Sequence, residues 1–419
     1  MHPRLTLRNV FAAALAALAM LPGIAQQQEL QLDHRMNEHI VQVPAGPQGR
    51  AMLETTVFQP NGPGPFPLII INHGKDPGRP NLQPRDRFYY MASAFVKRGY
   101  AVMVPMRQGF ANSTGRYRDF GCDMKANGYT QAEDIVSTLA YARQQPWVDR
   151  GRIVIAGQSY GGLATIAAGT RDLPGVRGLI NFAGGLRDDS DRCAWRSALV
   201  TAFSDYGSKA KLPTLWMYGE NDSLFGPELA ARMHAAFEGA GGRGKLVEFP
   251  AFKRDSHGML ASRDGEKVWL DDTMAFLHGI GMPTEVVHDV PAPPSPPRTD
   301  YAKVDDVDAV PFLSENGRRA YQEYLGKMTP RAFAVSPSGA WTWAEEGEDP
   351  DGRALATCTA KSTEPCRLYS VDDYVVWTGD LDAAEKAAVT ASVTTEPKPA
   401  VDALNSAPTT SIGSNKATN

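Results

Sequence analysis

The chain has no excess of either charge. Lys and Arg number 43 against 47 Asp and Glu, a formal net charge of −4, with the signs interspersed. A nucleic-acid partner would call for a basic face, and no such stretch or module is present. Histidines are few, eight in all, and cysteines only four. No Cys-x-x-Cys or Cys/His cluster points to zinc, and neither a metal nor a cofactor is expected. After the first 25 residues no stretch is apolar enough to cross a bilayer, so no membrane insertion is expected once the leader is removed.

That leader is the first feature present. Arg4 and Arg8 precede an apolar run over 11–21, too short to span a membrane, and Gly23-Ile24-Ala25 supplies small residues for cleavage. Residues 1–25 therefore read as a secretory signal, and the mature protein is expected in a periplasm or outside the cell. Disulfides persist in such compartments. Cys358 and Cys366 are the easiest pair to close, leaving Cys122 and Cys193 for each other, although four cysteines allow three pairings.

With 419 residues, 42% of them hydrophobic, the chain can build one large domain and a small companion. Strand-like stretches at 39–43 and 52–58 form an edge hairpin. From Phe66 onward, continuous apolar strands alternate with amphipathic helices: strands at 67–72, 101–104, 152–156, 178–182, 214–218 and 245–249, and helices at 86–96, 130–142, from 163, around 229–237 and 268–277. Thr130-x-x-Glu133 reads as the capping box that opens the second of these helices. Repeated βα alternation demands a parallel sheet covered on both faces. The expected fold is a doubly wound, mostly parallel α/β domain over 26–282. A Pro-rich linker at 283–300, a small α+β module at 301–380 holding Cys358 and Cys366, and a polar tail at 381–419 follow.

The chemistry centres on Gly157-Gln158-Ser159-Tyr160-Gly161, placed between a buried strand and a helix. A turn this tight leaves no room for side chains at 157 and 161 and lifts Ser159 clear of the sheet, the pattern of a nucleophile elbow. A serine hydroxyl needs a histidine to take its proton and an acid to hold that histidine. His257, in Asp255-Ser256-His257-Gly258 after the last strand, is the expected base; His234 and His278 fall within helices. Asp222, in Gly219-Glu220-Asn221-Asp222 after the 214–218 strand, is the expected acid, with Glu220 its rival. Negative charge on a substrate carbonyl oxygen calls for backbone donors, expected from Tyr160 and from Gly74 or Lys75 in Asn72-His73-Gly74-Lys75. His73 is read as a residue that pins this loop.

Ile71-Asn72-His73-Gly74, the elbow, Gly219-Glu220-Asn221-Asp222 and Ser256-His257-Gly258 together resemble the α/β-hydrolase superfamily over residues 40–282. The likeness is greatest to its dienelactone hydrolase-like and prolyl oligopeptidase-like secreted members. The resemblance implies an α/β-hydrolase fold and serine-dependent hydrolysis without a cofactor, on a small-molecule ester. A serine peptidase is the second reading. Dienelactone hydrolases proper carry cysteine at the nucleophile position, so Ser159 is a departure. Met106-Arg107-Gln108-Gly109 resembles a loop that shapes the pocket wall in such hydrolases, so Arg107 is read as structural, with Lys75, Arg107 and Arg187 expected on one rim.

Cys122 follows the second parallel strand and Cys193 the 178–182 strand, so topology brings both connections out at the carboxyl edge beside the elbow, and a bond between them would brace the pocket's mouth. A third reading, of another class, makes the fold a scaffold whose 301–380 module contacts envelope or polysaccharide through exposed tryptophans; the plainer one packs them in a small core stapled by a disulfide.

Overall fold

Period-two alternation in the central strand decides both faces of the sheet. In β5 (Val148–Gln158), Ile153 and Ile155 point into one apolar layer, and Val154 and Ala156 into the other. A strand buried on both faces must be apolar throughout, as its middle is. The computed structural model describes residues 32–188, 190, 192–290, 296–345 and 347–379. The expected leader at 1–25, the expected tail at 381–419 and part of the expected linker lie outside them.

Eight strands form one sheet in the order β1-β2-β4-β3-β5-β6-β7-β8. Its edge is the expected hairpin, β1 (His39–Ala45) antiparallel to β2 (Ala51–Phe58), and β2 also runs antiparallel to β4 (Ala101–Pro105). From there β3 (Phe66–Asn72), β5, β6 (Val176–Phe182), β7 (Pro213–Gly219) and β8 (Arg243–Phe249) pair in parallel.

One face is covered by α1 (Tyr89–Lys97) and α6 (Glu266–Gly279), whose Met91, Phe95, Trp269 and Leu277 pack on Ile69, Ile71 and Val154. The other carries α2 (Met124–Ala142), α3 (Tyr160–Ala168), α4 (Trp195–Gly207) and α5 (Pro227–Gly239). Every parallel strand therefore ends at the same edge of the sheet, and the loops leaving that edge carry the candidate site.

Two expected helix starts move. The second helix begins at Met124 rather than Thr130, because Asp123 caps it by accepting the Ala126 N–H at 2.9 Å. Gly128 does not interrupt it, since the space a side chain would fill there holds the Tyr206 hydroxyl. The first helix begins at Tyr89 rather than Asp86.

Beyond the eight-stranded sheet lies the small module: α7 (Glu315–Leu325), β9 (Arg331–Val335), β10 (Trp341–Glu345), α8 (Pro350–Thr359), β11 (Arg367–Val371) and β12 (Tyr374–Val375). Its antiparallel sheet has the order β10-β9-β11-β12. Trp377 is buried in its core, with Trp341 and Trp343 half-buried against Phe333, Tyr321 and Tyr369. The Cys358–Cys366 disulfide joins α8 to the segment entering β11. The described residues through Trp377 form one compact unit. Ion pairs knit module to sheet, Lys253 to Asp372 at 2.8 Å and Arg263 to Asp351.

Candidate active site

β5 runs into α3 with no loop between them, so the chain must turn within one residue. Ser159 makes that turn at φ 54° and ψ −123°, a conformation costly for a residue with a side chain. The surroundings over-determine it: the Ser159 N–H donates to Phe182 O at 3.0 Å, and its carbonyl accepts from Gly162, Leu163 and Gly185. Gly161 is required because a Cβ there would collide with the carbonyls of Asn72 and His73.

Asp222 and His257 leave neighbouring strand ends, after β7 and β8. His257 sits in a 3-10 turn (Ser256–Ala261) whose cap is Asp255, which accepts the His257 N–H at 2.8 Å and the Ser223 N–H at 3.2 Å. The turn presents the imidazole to Asp222, with Nδ1 3.0 Å from Oδ2. The Asp222 side chain is fully shielded, and Oδ1 accepts the N–H groups of Leu224 and Phe225 at 2.9 and 2.8 Å. Burial pushes its pKa upward, but the hydrogen bond and charge of His257 and the two N–H donors outweigh it, leaving the pKa below the usual carboxylate value. With Nδ1–H donated to Asp222, Nε2 carries the lone pair.

Ser159 and His257 face a common cavity of about 490 Å³, together with Gly74, Lys75, Tyr160, Leu186, Arg187 and Phe225. Among the described residues Ser159 Oγ makes no hydrogen bond, so two of the three expected partners, Asp222 and His257, are joined directly and the third shares a cavity with His257. Catalytic hydrogen bonds are often loose before substrate binds. Gln158, one residue before the serine, reaches His257 instead, its amide nitrogen 3.2 Å from the His257 carbonyl and 3.4 Å from Nε2.

The loop after β3 lies against the elbow. A Cβ on Gly74 would stand 2.8 Å from Gln158 Oε1 and 3.3 Å from Ser159 Cβ, so only glycine lets this backbone approach the nucleophile. His73 is buried, and its Nδ1 lies 2.6 Å from Gly74 O while Nε2 accepts the Arg107 N–H at 3.0 Å. Burial first, then the charge of Arg107, hold it well below its ordinary pKa and therefore neutral. It pins the loop, as expected. Among the described residues the backbone N–H groups of Gly74, Lys75 and Tyr160 have no protein acceptor. A substrate oxyanion is the kind of partner that would fill such a gap.

Arg107 corrects an expectation. Lys75 and Arg187 line the cavity, but Arg107 lies fully buried behind the loop. It donates to His73 O at 2.6 Å, Gly74 O at 3.3 Å and Gln131 Oε1 at 2.9 Å. Burial lowers its pKa to about 10, so it stays charged at neutrality. Glu220, the rival acid, is exposed and bonds Ala251 N instead.

The cavity also has an acidic side. Burial raises Asp86 well above the carboxylate range, and the charges of Asp76 and Glu348 push it further; burial raises Asp76 and Glu348 as well. Glu348 belongs to the module, and no local pattern in the sequence assigns it to this site. Asp255 was also missed, although an Asp two residues before the histidine has the spacing of a side chain that bonds its own backbone.

A family model described as X-Pro dipeptidyl-peptidase (S15 family) matches residues 48–200. The quorum-quenching protein AidA of Acinetobacter baumannii is 33% identical over 116 residues, 28% of this chain and 35% of that protein. An uncharacterized 31.7 kDa protein of Escherichia coli from the traX-finO intergenic region is 33% identical over 140 residues, 33% of this chain and 41% of that one. The chain thus spans about two-fifths or less of the length of these curated relatives.

Among solved structures, a putative dienelactone hydrolase from Klebsiella pneumoniae covers 58% of this chain and 98% of its own, at 16% identity and a TM-score of 0.41. The acylaminoacyl peptidase of Pyrococcus horikoshii covers 60% and 43%, at 18% identity and a TM-score of 0.43. Strand order with an antiparallel second strand and a strained serine between β5 and α3 give this chain an α/β-hydrolase-like fold, over part of which, residues 48–200, the family model lies.

Proposed function

We propose that the protein is a serine hydrolase that cleaves carboxylic esters through an acyl-enzyme, acting on small molecules outside the cytoplasm. The observation that carries this is the Asp222–His257 pair, which holds the unprotonated Nε2 at a cavity it shares with Ser159. In this reading Nε2 takes the Ser159 proton as Oγ attacks the ester carbonyl, and Asp222 stabilises the imidazolium that results. The N–H groups of Tyr160 and of Gly74 or Lys75 receive the oxyanion. His257 then protonates the departing alcohol, and water reverses the sequence to free the acid. The cavity volume suits a small or medium substrate.

A peptidase is the second reading, favoured by the S15 model over residues 48–200. Export is supported by the Cys122–Cys193 and Cys358–Cys366 disulfides. Among the described residues no helix is long and apolar enough to cross a membrane.

The test pairs an ester with the amide of the same acyl group, assayed on wild type and Ser159→Ala beside a fluorophosphonate label. Ester turnover and labelling should both vanish with Ser159. Amide turnover matching ester turnover would favour the peptidase, and an unchanged rate in Ser159→Ala would end the serine mechanism.

A further inference from the structure

The hydrolase sheet does not enclose the cavity alone. Met328, Thr329 and Pro330, on the approach to β9, and Gly347 and Glu348, ahead of α8, face into it beside His257. This wall is fixed at three points. Glu348 Oε1 accepts the N–H of Arg87 at 3.1 Å and of Tyr89 at 3.3 Å. Tyr89 opens α1 and Arg87 lies just before it; the helix has no side-chain cap of its own, so a module carboxylate satisfies a donor that the helix cannot satisfy internally.

Arg331, buried, takes the carbonyls of Tyr324 and Lys327 at 2.6 and 3.0 Å, holding the segment that carries Met328. Gly258 is the third point. A Cβ there would lie 2.7 Å from Thr329 O, so the module's backbone rests against the residue next to His257.

That last contact gives the wall a side. In acyl transfer the base hands its proton to the departing group, which therefore leaves past the imidazole. Of the module residues at the cavity, Glu348 is committed to α1, and Thr329, Pro330 and Gly347 are small. Met328 alone has a long, flexible apolar side chain, half-buried. Resting on the esterase reading above, we propose that the C-terminal module bounds the leaving-group side of the active site and that Met328 sets how large an alcohol the enzyme accepts.

The experiment uses the full chain and two ester series: acetates of alcohols from ethyl to naphthylmethyl, and ethyl esters of acids from acetyl to octanoyl. Met328→Ala should raise kcat/KM for the bulkiest alcohol relative to the smallest by roughly tenfold, the scale of one apolar group in a specificity pocket. Met328→Phe should shift the same ratio the other way. Neither should move the acyl series.

An unmoved alcohol series in both variants overturns the proposal, as does an equal shift in the acyl series. The two readings fail separately. Rates that survive Ser159→Ala remove the mechanism itself, whereas Ser159-dependent rates indifferent to residue 328 remove only the role of the module.

Discussion

Arg107 holds His73 at both ends, donating its backbone N–H to Nε2 at 3.0 Å and its guanidinium to the His73 carbonyl at 2.6 Å. The residue sits at the start of the loop after β4 and fixes the loop after β3, so the position of Gly74 beside Ser159 depends on a buried cation. Replacing it with Lys keeps the charge but loses the fork that reaches His73, Gly74 and Gln131 together. Arg107→Lys should cost about 2–3 kcal/mol of stability, the scale of buried acceptors left without donors. It should also lower kcat by roughly ten- to hundredfold with a smaller change in KM, because in the proposed mechanism the displaced groups serve the transition state. Steady-state kinetics and urea unfolding check both halves.

Asp222 is expected to orient rather than to exchange protons. Asp222→Asn leaves the shape but no longer accepts Nδ1–H, which favours the wrong tautomer, and kcat should fall on the order of 10³–10⁴-fold. The acid limb of stability should change too. A carboxyl held below 3.8 when folded stabilises the protein fully above that value and loses its contribution as pH falls through the folded pKa. Unfolding midpoints between pH 2 and pH 5 should therefore depend less on pH in the variant than in wild type.

Much of this site was legible because its parts are local strings. The elbow needs only a strand, Gly157, Ser159, Gly161 and a helix, and Asp222 and His257 follow from loops after successive strands. What escaped depends on tertiary approach. Arg107 reads correctly as structural but is placed on the rim because arginine is seldom buried, and only the converging carbonyls of His73 and Gly74 make its burial tolerable. Thr130-x-x-Glu133 has the form of a cap, yet Asp123 is placed to cap first and Tyr206 needs the space that Gly128 leaves. Glu348 lies 261 residues from Arg87 in the chain, and no periodicity or spacing connects them.

The two disulfides should differ in worth. Cys122–Cys193 spans 71 residues that include the elbow, whereas Cys358–Cys366 spans 8. Loop-closure entropy then predicts about 4 kcal/mol for the first and about 2 for the second. Cys122→Ser/Cys193→Ser should lower the guanidinium midpoint more than Cys358→Ser/Cys366→Ser. Equal losses would mean that the long connection is already ordered in the unfolded chain.

Stability should also carry the signature of the module's docking surface. Arg263 meets one oxygen of Asp351, while the other, Oδ1, is buried without a donor. Burial raises this carboxyl to about 6; Arg263 opposes the rise, and Asp349 and Asp372 add to it. Between the unfolded value of 3.8 and about 6, the native protein therefore holds a proton that the unfolded chain has released. Stability falls as pH rises through that window, by at most about 3 kcal/mol, and the cost is complete above it. Asp351→Asn removes the titration and keeps the shape. Its unfolding free energy minus that of wild type should grow as pH goes from 4 to 7, read from urea curves at fixed ionic strength. Parallel curves would show that Asp351 keeps an ordinary pKa at this surface, and that the module docks without burying a charge.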